Sequence, residues 1–361
     1  MRILLASGIF PPDIGGPATY IPKFAKNLSD SGHEVQILTL SDSVAPVNQS
    51  DFKVSYIIRK QHKVIRAIKI YKAISRIKPD YVFANGLHEE VAIWLRIHKV
   101  PSVAKIVGDP VWERYRNSQN TTISIQEFNS TETLRFVFRL QRKLLAWSLS
   151  TYSRITCPSK ELCDLVQSWN QNLRPIYIPN GTQEVPSVET NKVYDLVTVS
   201  RLASWKNIDS VITLANNKNL KLAIAGEGPE EMTLKALSNP KLVSFLGQLN
   251  EAKVIEVLRQ SKIFIQLSEY EGLSFALLQS LAVGTPTICS DIPGNSQIIE
   301  NKVNGILVNN KNMDEIESAV DALLNKESLR KSVIELGIET IRVGFNENTQ
   351  MAKMRKLLGV N

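Results

Sequence analysis

The stretch KIFIQLSEYEGLSFALLQSLAVGTPTICSD, residues 262–291, decides the fold. Its short apolar run at 263–267 predicts a buried parallel strand, and polar residues with a glycine end that run at 268–272. Leucines then recur at helical spacing, and Gly284 with Pro286 beyond it marks the expected end of a helix before another strand. The stretch therefore predicts a strand–loop–helix–strand unit, with backbone N–H groups at the helix start that favour a phosphate.

The letters EGLSFALLQSLAVGTP in this stretch resemble the donor-binding motif of the retaining glycosyltransferases of family 4, which have the GT-B fold. That motif carries two glutamates, and this chain has Glu271 at the first position and Gln279 at the second. The resemblance implies that Glu271 holds the donor sugar and that Gln279 meets the ribose hydroxyls without a charge-assisted hydrogen bond. It also places the residues after Glu271 in the donor site: Gly272, Leu273, Ser274 and Phe275.

Length and composition fit a globular protein with two domains. The chain has 361 residues, of which 43% are hydrophobic and 22% are charged. No apolar run approaches the ~20 residues of a membrane span, and the first residues resemble a strand rather than a signal peptide. The three cysteines lack the spacing of a metal site or disulfide framework, so we expect reduced thiols in the cytoplasm.

The net charge of +8 is unevenly distributed. Residues 1–180 contain 24 Lys and Arg against 14 Asp and Glu, whereas residues 181–361 contain 19 against 21. The basic first half suggests an anionic partner, such as anionic membrane lipid, a lipid-linked phosphate or nucleic acid. Nucleic acid is the least favoured, because the chain has no interleaved aromatic residues and no recognisable nucleic-acid-binding module.

The basic residues concentrate at 53–78, where nine occur without an acidic one. Apolar residues recur there at helical spacing: Val64, Ala67, Ile68, Tyr71, Ile74 and Ile77. Because Pro79 and another strand follow directly, we favour a crossover helix with its apolar stripe on a parallel sheet. A basic amphipathic helix also fits a membrane surface, and both interpretations hold if the charged side faces lipid headgroups.

Glycines follow the first predicted strand at Gly15 and Gly16, just before a helix. Glycine lets a backbone approach a phosphate or sugar closely, and the helix start supplies N–H donors. The sequence PPDIGG contains neither a dinucleotide fingerprint nor a Walker loop. It resembles the first loop of the family, which implies that Gly15 and Gly16 close on the donor.

Candidate acceptor contacts follow the strands of the first half. The family resemblance implies a histidine near the reacting sugar, but this chain has Val107 at that position, in KIVGD. Asp109 is a candidate to orient or deprotonate an acceptor hydroxyl, with Glu113 beside it. The remaining acceptor candidates are His88, Lys105 and Trp112.

Residues 114–131 are polar and without a period, which predicts a mobile loop. A helix follows with four large apolar residues expected in the core: Phe136, Leu140, Leu144 and Trp147. Its basic residues are expected to face solvent or an anionic acceptor: Arg135, Arg139, Arg142 and Lys143.

In the second half, Arg201 and Lys206 stand between a strand end and a helix start. Two cations beside helix N–H groups predict a diphosphate clamp that needs no metal, and both positions match the family's diphosphate site. Gly226 follows another strand as in the family. The resemblance further implies that Leu246, Gly247 and Gln248 present backbone groups to the nucleotide base. Gln297 stands where the family often has glutamate.

Strands alternate with helices in both halves, which predicts two Rossmann-like, doubly wound parallel-sheet domains facing across a cleft. We place the domains at 1–182 and 192–345, with a final helix at about 346–361 packing back on the first. The expected activity is transfer of a sugar from a UDP- or GDP-sugar to a glycan or lipid-linked saccharide, with retention and without metal. The alternative is a non-catalytic relative that binds nucleotide or glycan, or partners an active transferase.

Overall fold

The computed structural model describes the chain except for residues 14, 43–51, 120, 131–135, 187, 189 and 361. The chain divides into two compact units, one formed by Met1–Pro179 together with residues from Met351 onward, and the other by Asn180–Gln350. Each unit is built on one parallel sheet with helices, which confirms the predicted α/β class. None of the described helices is both long and apolar enough to cross a bilayer.

The sheet of the first unit has seven parallel strands in the order β3-β2-β1-β4-β5-β6-β7. Its central strands are continuous apolar runs because both faces of a parallel sheet are covered, and Ile3, Leu4 and Leu5 are fully buried. The strands are β1 (Arg2–Ser7), β2 (Glu34–Ser41), β3 (Lys53–Ile58), β4 (Tyr81–Asn85), β5 (Ser102–Lys105), β6 (Arg154–Cys157) and β7 (Pro175–Tyr177).

The helices of this unit are α1 (Gly16–Asp30), α2 (Lys63–Ile77), α3 (His88–His98), α4 (Pro110–Gln119), α5 (Ile125–Ser130), α6 (Phe136–Leu149) and α7 (Lys160–Trp169). The connections that contain α2, α3 and α6 all advance in the same direction along the sheet. Right-handed crossovers therefore put these three helices on one side of the sheet and α1 on the other. In keeping with this, α3 packs against both α2 and α6.

The polar segment at 114–131, which we expected to be a mobile loop, is largely helical where it is described. It forms the second half of α4 and all of α5. Phe128 is fully buried, and the ring of Tyr115 lies with its centroid 5.0 Å from that of Phe128. The prediction was wrong because two separated aromatic residues anchor the segment without producing a helical period in the sequence.

Helix α6 faces the core with a different stripe from the one we predicted. Its buried apolar side chains are Phe138, Leu145 and Leu149. The four residues expected in the core are exposed: Phe136 (72%), Leu140 (55%), Leu144 (48%) and Trp147 (41%). The helix carries two apolar stripes, and only contacts with neighbouring helices decide which one is covered.

The basic residues of α6 also divide between two environments. Arg139 and Lys143 are exposed, as predicted. Arg142 instead lies with its guanidinium carbon 4.6 Å from the Phe128 ring centroid, and burial lowers the pKa of this guanidinium. Arg135 lies outside the described residues.

Helix α2 is the crossover between β3 and β4 that we favoured, but its apolar stripe is shifted. Ile70, Ile74 and Ile77 are buried, whereas Val64 and Ile68 are exposed. The first turns of α2 therefore project apolar side chains away from the sheet.

The sheet of the second unit has six parallel strands in the order β10-β9-β8-β11-β12-β13. They are β8 (Tyr194–Val199), β9 (Leu222–Ala225), β10 (Val243–Phe245), β11 (Ser261–Gln266), β12 (Thr287–Ser290) and β13 (Ile306–Val308). The helices are α8 (Ile208–Lys218), α9 (Glu231–Leu237), α10 (Glu251–Arg259), α11 (Phe275–Val283), α12 (Pro293–Ser296), α13 (Met313–Asn325) and α14 (Glu327–Gly344), preceded by a 3-10 turn at Ser204–Lys206. Residues 262–291 form β11, α11 and β12 as predicted, and α11 ends at Gly284 in a left-handed conformation.

The last helix, α15 (Glu347–Leu358), begins in the second unit and ends in the first. Its Arg355 donates hydrogen bonds of 2.7 Å to Asn27 Oδ1 and 3.1 Å to Ser31 Oγ at the end of α1. Met354 and Leu358 are buried. The C-terminal half of α15 is thus a structural part of the first unit.

Candidate active site

Polar residues gather where strands β8, β11 and β12 of the second unit end. In an open parallel sheet, ligands bind outside the carboxyl ends of the strands, at the point where the strand order reverses. Here the order reverses between β8 and β11, which are neighbours in the sheet but distant in the chain. Lys206 follows β8 and Glu271 follows β11, so the topology brings these two predicted residues to one place.

Lys206 and Glu271 form an ion pair in which Lys206 Nζ lies 2.6 Å from Glu271 Oε1. The hydroxyl of Ser268 donates a second hydrogen bond, 2.7 Å long, to the same oxygen. Only 14% of the Lys206 side chain and 11% of the Glu271 side chain are exposed. Charge-assisted hydrogen bonds of this length hold the carboxylate in one orientation and direct its other oxygen elsewhere.

The turn that carries Lys206 is tied to the loop that carries Glu271. Asn207, in a left-handed conformation, donates from Nδ2 to the carbonyl oxygen of Leu267 at 3.0 Å. The backbone N–H of Glu269 donates to the carbonyl oxygen of Trp205 at 2.8 Å. These bonds position the two charged side chains through backbone that is itself restrained.

Arg201, the other predicted cation, lies just beyond the end of β8 and is exposed. It forms no ion pair with any residue that the structure describes. The two cations therefore differ: Lys206 is neutralised by Glu271, whereas the charge of Arg201 is available to a ligand.

The backbone of Glu271 and Gly272 rests on the start of α12. A Cβ atom at Gly294 would lie 2.0 Å from the carbonyl oxygen of Glu271, so only glycine fits there. Gln297 donates from Nε2 to the carbonyl oxygen of Gly294 at 3.1 Å and to that of Gly272 at 3.4 Å. The side-chain amide of Gln297 thus restrains the loop that carries Glu271. This contact was not predicted from the sequence.

The residues after Glu271 serve mainly to start α11. Leu273 is buried in the apolar core of the unit. Ser274 is the N-cap, and its Oγ accepts a 3.2 Å hydrogen bond from the N–H of Leu277 and a 2.9 Å bond from Gln266 Nε2. Phe275, the first helical residue, is half-buried. Capping by Ser274 fixes where the helix begins relative to Glu271.

Gln279 donates from Nε2 to Oε1 of Glu251, at the start of α10, over 3.2 Å. A carboxylate therefore stands beside the position where the donor-binding motif has its second glutamate. Sequence reasoning missed Glu251 because it precedes Gln279 by 28 residues and belongs to a different helix. Ser268 is a second such residue, and its place directly after a strand is the only signal that the sequence offers for it.

The predicted base-binding turn joins the loops after β8, β9 and β10. Gly226 has φ +135°, and a Cβ atom there would lie 1.9 Å from the carbonyl oxygen of Ser200. Its N–H donates to the carbonyl oxygen of Gly247 at 2.8 Å. Leu246 and Gly247 are half-buried, and Gln248 is exposed. The backbone of Gly226 can approach that of Ser200 closely because glycine has no side chain, and this lets the three loops meet at the sheet edge.

In the first unit, the predicted residues lie at or after the ends of β1, β4 and β5. Gly15 precedes α1 with φ +144°, and Gly16 is the first residue of that helix. Lys105 is 1% exposed, and its Nζ lies 4.5 Å from the centroid of the Tyr20 ring. Burial without a carboxylate partner among the described residues lowers the pKa of Lys105 to about 7.

His88 begins α3 beside the end of β5. Its Nε2 lies 3.2 Å from the carbonyl oxygen of Lys105, and its own carbonyl oxygen accepts a 3.1 Å hydrogen bond from the hydroxyl of Tyr152. Burial lowers the pKa of His88, so the neutral imidazole is favoured.

Asp109 is buried and caps α4, since its Oδ1 accepts hydrogen bonds from the N–H groups of Val111 and Trp112 at 2.9 and 3.0 Å. Its Oδ2 accepts a 3.3 Å bond from Asn129 Nδ2 and lies 3.8 Å from the guanidinium of Arg142. Trp112 is buried and donates to the carbonyl oxygen of Ile123 at 3.0 Å. Both oxygens of Asp109 are thus engaged in local structure, and its role as a base stays a prediction.

Two other positions near this edge are less enclosed. Glu113 is half-buried in the first turn of α4. Val107, at the position where the family resemblance implies a histidine, is 37% exposed. No group of three or more His, Cys, Asp or Glu side chains in the described part of the chain is arranged to hold a metal ion.

Two family profiles divide the chain between them. The profile described as "Glycosyltransferase Family 4" matches residues 14–183, and the one described as "Glycosyl transferases group 1" matches residues 182–340. The boundary between the two matches falls close to the boundary between the two compact units.

Similar proteins extend over almost the whole chain. An "Uncharacterized glycosyltransferase MJ1069" of Methanocaldococcus jannaschii is 24% identical over 99% of this chain and 98% of its own. An alpha-monoglucosyldiacylglycerol synthase of Streptococcus pneumoniae is 23% identical over 94% of this chain and 83% of its own. The structure of HepE from Anabaena, solved with UDP and glucose, aligns with a TM-score of 0.80 and 15% identity over 99% of both chains. This last likeness shows a shared fold.

Proposed function

The chain belongs to the glycosyltransferases of family 4, which have the GT-B fold, and we propose that it transfers a sugar from a UDP- or GDP-sugar to a hydroxyl group. The acceptor is a glycan or a lipid-linked saccharide, and the reaction proceeds in the cytoplasm with retention and without a metal ion. The observation that carries the proposal is the largely buried ion pair between Lys206 and Glu271 at the switch point of the second sheet.

The two cations have complementary tasks in this reaction. Cleavage of the bond between sugar and phosphate leaves negative charge on the departing diphosphate, and fixed cations stabilise that charge in the transition state. Arg201, which is exposed, meets the diphosphate directly and can use its planar fork of donors. Lys206 is already held in place by Glu271, so it contributes without a large loss of side-chain entropy.

Glu271 orients the sugar with the oxygen that the ion pair leaves available. Its Oε1 accepts from both Lys206 and Ser268. A carboxylate has about four acceptor sites in all, so Oε2 can accept from two sugar hydroxyls. The ion pair thus links the sugar to the diphosphate, because Lys206 touches the same carboxylate that holds the sugar.

The nucleoside lies against the ends of β9 and β10 and the start of α10. We assign the base to the turn at 246–248, where Leu246 and Gly247 are half-buried, and the ribose hydroxyls to the paired side chains of Gln279 and Glu251. In this arrangement Glu251 supplies the charged acceptor that a second glutamate in the motif would otherwise provide.

The decisive experiment measures nucleotide release from a panel of UDP- and GDP-sugars, with the Lys206→Ala and Arg201→Ala variants beside the natural protein. We expect either substitution to reduce kcat by about a hundredfold, the usual effect of removing one group that stabilises transition-state charge. Lys241→Ala, an exposed lysine of the same unit, serves as the matched control. Unchanged turnover in both site variants would contradict the clamp.

Two further measurements test the finer parts of the proposal. NMR of the glycoside formed reports its anomeric configuration, and an inverted product would contradict retention. Turnover that disappears with EDTA and returns with Mg²⁺ would contradict metal independence.

A second candidate function is a non-catalytic relative that binds nucleotide or glycan. Three departures from the family pattern favour it: Val107, Gln279 and Gln297. Calorimetry with UDP and GDP separates the two candidates, because tight nucleotide binding without turnover on any sugar of the panel supports this second one.

A further inference from the structure

One face of the first unit combines exposed apolar side chains with basic ones. It is formed by the outward sides of α2, α3 and α6, which lie next to one another on the same side of the sheet. We refer to it as the α2–α3–α6 face. Its exposed apolar residues are Val64, Ile65 and Ile68 of α2, Ile93 and Ile97 of α3, and Phe136, Val137, Leu140, Leu144 and Trp147 of α6.

The apolar residues of α6 form a continuous stripe. Phe136, Leu140, Leu144 and Trp147 are spaced by four, four and three residues, which keeps them on one side of a helix. The stripe extends over about 16 Å of helix axis at 1.5 Å per residue. Single exposed apolar residues need no explanation, but a contiguous apolar stripe of this length marks a surface that binds something.

Basic residues accompany the apolar ones on all three helices. The exposed members are Lys63, Lys69, Lys72 and Arg76 of α2, Arg96 of α3, and Arg139 and Lys143 of α6. The only acidic residues in the three helices are Glu89 and Glu90. Glu90 is buried and its carboxylate is paired with Arg66, so it does not offset the charge of the face.

We propose that the α2–α3–α6 face docks the protein on an anionic lipid bilayer, with α6 lying in the plane of the interface. The apolar stripe of α6 enters the boundary between headgroups and acyl chains, as in other interfacial amphipathic helices. The surrounding lysines and arginines stay at the level of the anionic headgroups. The inference rests on the surface of the first unit alone and does not depend on the proposed function.

Other occupants fit the face less well. In a symmetric dimer the same patch meets itself, so the cations of one copy would face those of the other across the interface. Nucleic acid would satisfy the cations, but its phosphate backbone offers nothing to a stripe that contains Phe136, Leu140 and Leu144. A bilayer with anionic headgroups matches both the apolar and the basic side chains of the face.

The test is co-sedimentation of the full chain with vesicles of phosphatidylglycerol and phosphatidylcholine, and with vesicles of phosphatidylcholine alone. We expect binding to the anionic vesicles and at least a tenfold weaker partition onto the neutral ones. The double variant Lys72→Gln with Lys143→Gln should reduce the partition coefficient about 25-fold, since each basic residue near the surface contributes about a factor of five. Lys241→Gln with Lys353→Gln removes the same charge from exposed positions outside the face and should leave the partition within about twofold.

A separate variant and tryptophan fluorescence test the contribution of the apolar stripe of α6. Phe136→Gln with Leu140→Gln keeps the charge and should abolish the binding that survives at high salt, where electrostatic attraction is screened. Trp94, Trp112 and Trp205 are buried and Trp169 is half-buried, whereas Trp147 is exposed on the stripe. Vesicles should therefore shift the tryptophan emission to the blue, and Trp147→Phe should remove most of that shift.

Three outcomes would overturn the proposal. One is that the natural protein does not sediment with the anionic vesicles. Another is that both double variants of the face bind as well as the natural protein. The third is that ultracentrifugation without vesicles shows a dimer that Phe136→Gln with Leu140→Gln dissociates, because the apolar stripe would then be an interface between copies.

Discussion

The side-chain amide of Gln279 donates a 3.2 Å hydrogen bond to a carboxylate oxygen of Glu251, so an amide and a carboxylate stand together where the family motif has a glutamate. Restoring the motif by Gln279→Glu would place two carboxylates against each other in a partly buried place. We expect this variant to bind UDP more weakly, and its free energy of unfolding at neutral pH to fall by about 1–2 kcal/mol.

The loss of unfolding free energy in Gln279→Glu should be larger at high pH than at low pH. Repulsion raises the pKa of one carboxyl in the folded state above its unfolded value, so the penalty is complete above the folded pKa and vanishes below the unfolded one. The exchange variant, Gln279→Glu with Glu251→Gln, restores one amide and one carboxylate and should recover both stability and affinity. Denaturant unfolding and calorimetry with UDP measure these effects, and tighter binding by the single variant would contradict the arrangement.

The ion pair of Lys206 and Glu271 predicts a strong energetic coupling. Lys206→Met leaves Glu271 charged and nearly buried, with only Ser268 as a donor to Oε1, and should cost about 3 kcal/mol of unfolding free energy. Adding Glu271→Gln removes the uncompensated charge and should recover most of that loss. A double-mutant cycle by urea unfolding gives the coupling, for which we expect about 2 kcal/mol. Additive single effects would show that the pair is not formed in solution.

The close contact between Gly294 and the loop that carries Glu271 predicts that a methyl group is not tolerated at position 294. In Gly294→Ala the new Cβ would meet the carbonyl oxygen of Glu271 at 2.0 Å, so backbone must move. We expect a loss of about 3 kcal/mol and a weaker affinity for UDP-sugars. Gly344→Ala, at the end of α14 with no atom within 4 Å of the new Cβ, is the control and should be neutral or slightly stabilising. Equal behaviour of the two variants would contradict the close contact.

The burial of Lys105 predicts that the free energy of unfolding rises with pH. Burial lowers its folded pKa to about 7 from an ordinary value of 10.5, so between these two values the unfolded chain binds the additional proton. The contribution of this group to the free energy of unfolding therefore increases by about 1.4 kcal/mol per pH unit between pH 7 and pH 10.5 and is constant outside that interval.

Lys105→Met should remove that dependence and raise the stability at pH 6, because it abolishes the cost of a buried charge. Lys353→Met, which removes an exposed lysine of α15, should leave the dependence unchanged. Denaturant unfolding at a series of pH values measures the slope, and an unchanged slope in Lys105→Met would contradict the assignment.

Residues 262–291 show which parts of the fold the local sequence pattern predicts. An apolar run, a polar break and leucines at helical spacing suffice for β11 and α11, and Gly284 ends the helix where expected because few other residues take a left-handed conformation readily. Alternation of such units predicts parallel sheets, and carboxyl ends of neighbouring strands meet at one edge. For that reason Lys206 and Glu271 could be expected near each other from the sequence.

The sequence by itself determined the α/β class, the strand ends at which charged residues gather, and the positions of Lys206 and Glu271 at those ends. Tertiary structure alone decided that Glu251 partners Gln279, that Asp109 caps α4, and that α6 leaves Phe136 and Leu140 exposed. The physical reason is that periodicity records which residues of a segment share a face. Whether that face is covered, and which distant side chain meets it, depends on elements whose placement no local pattern contains.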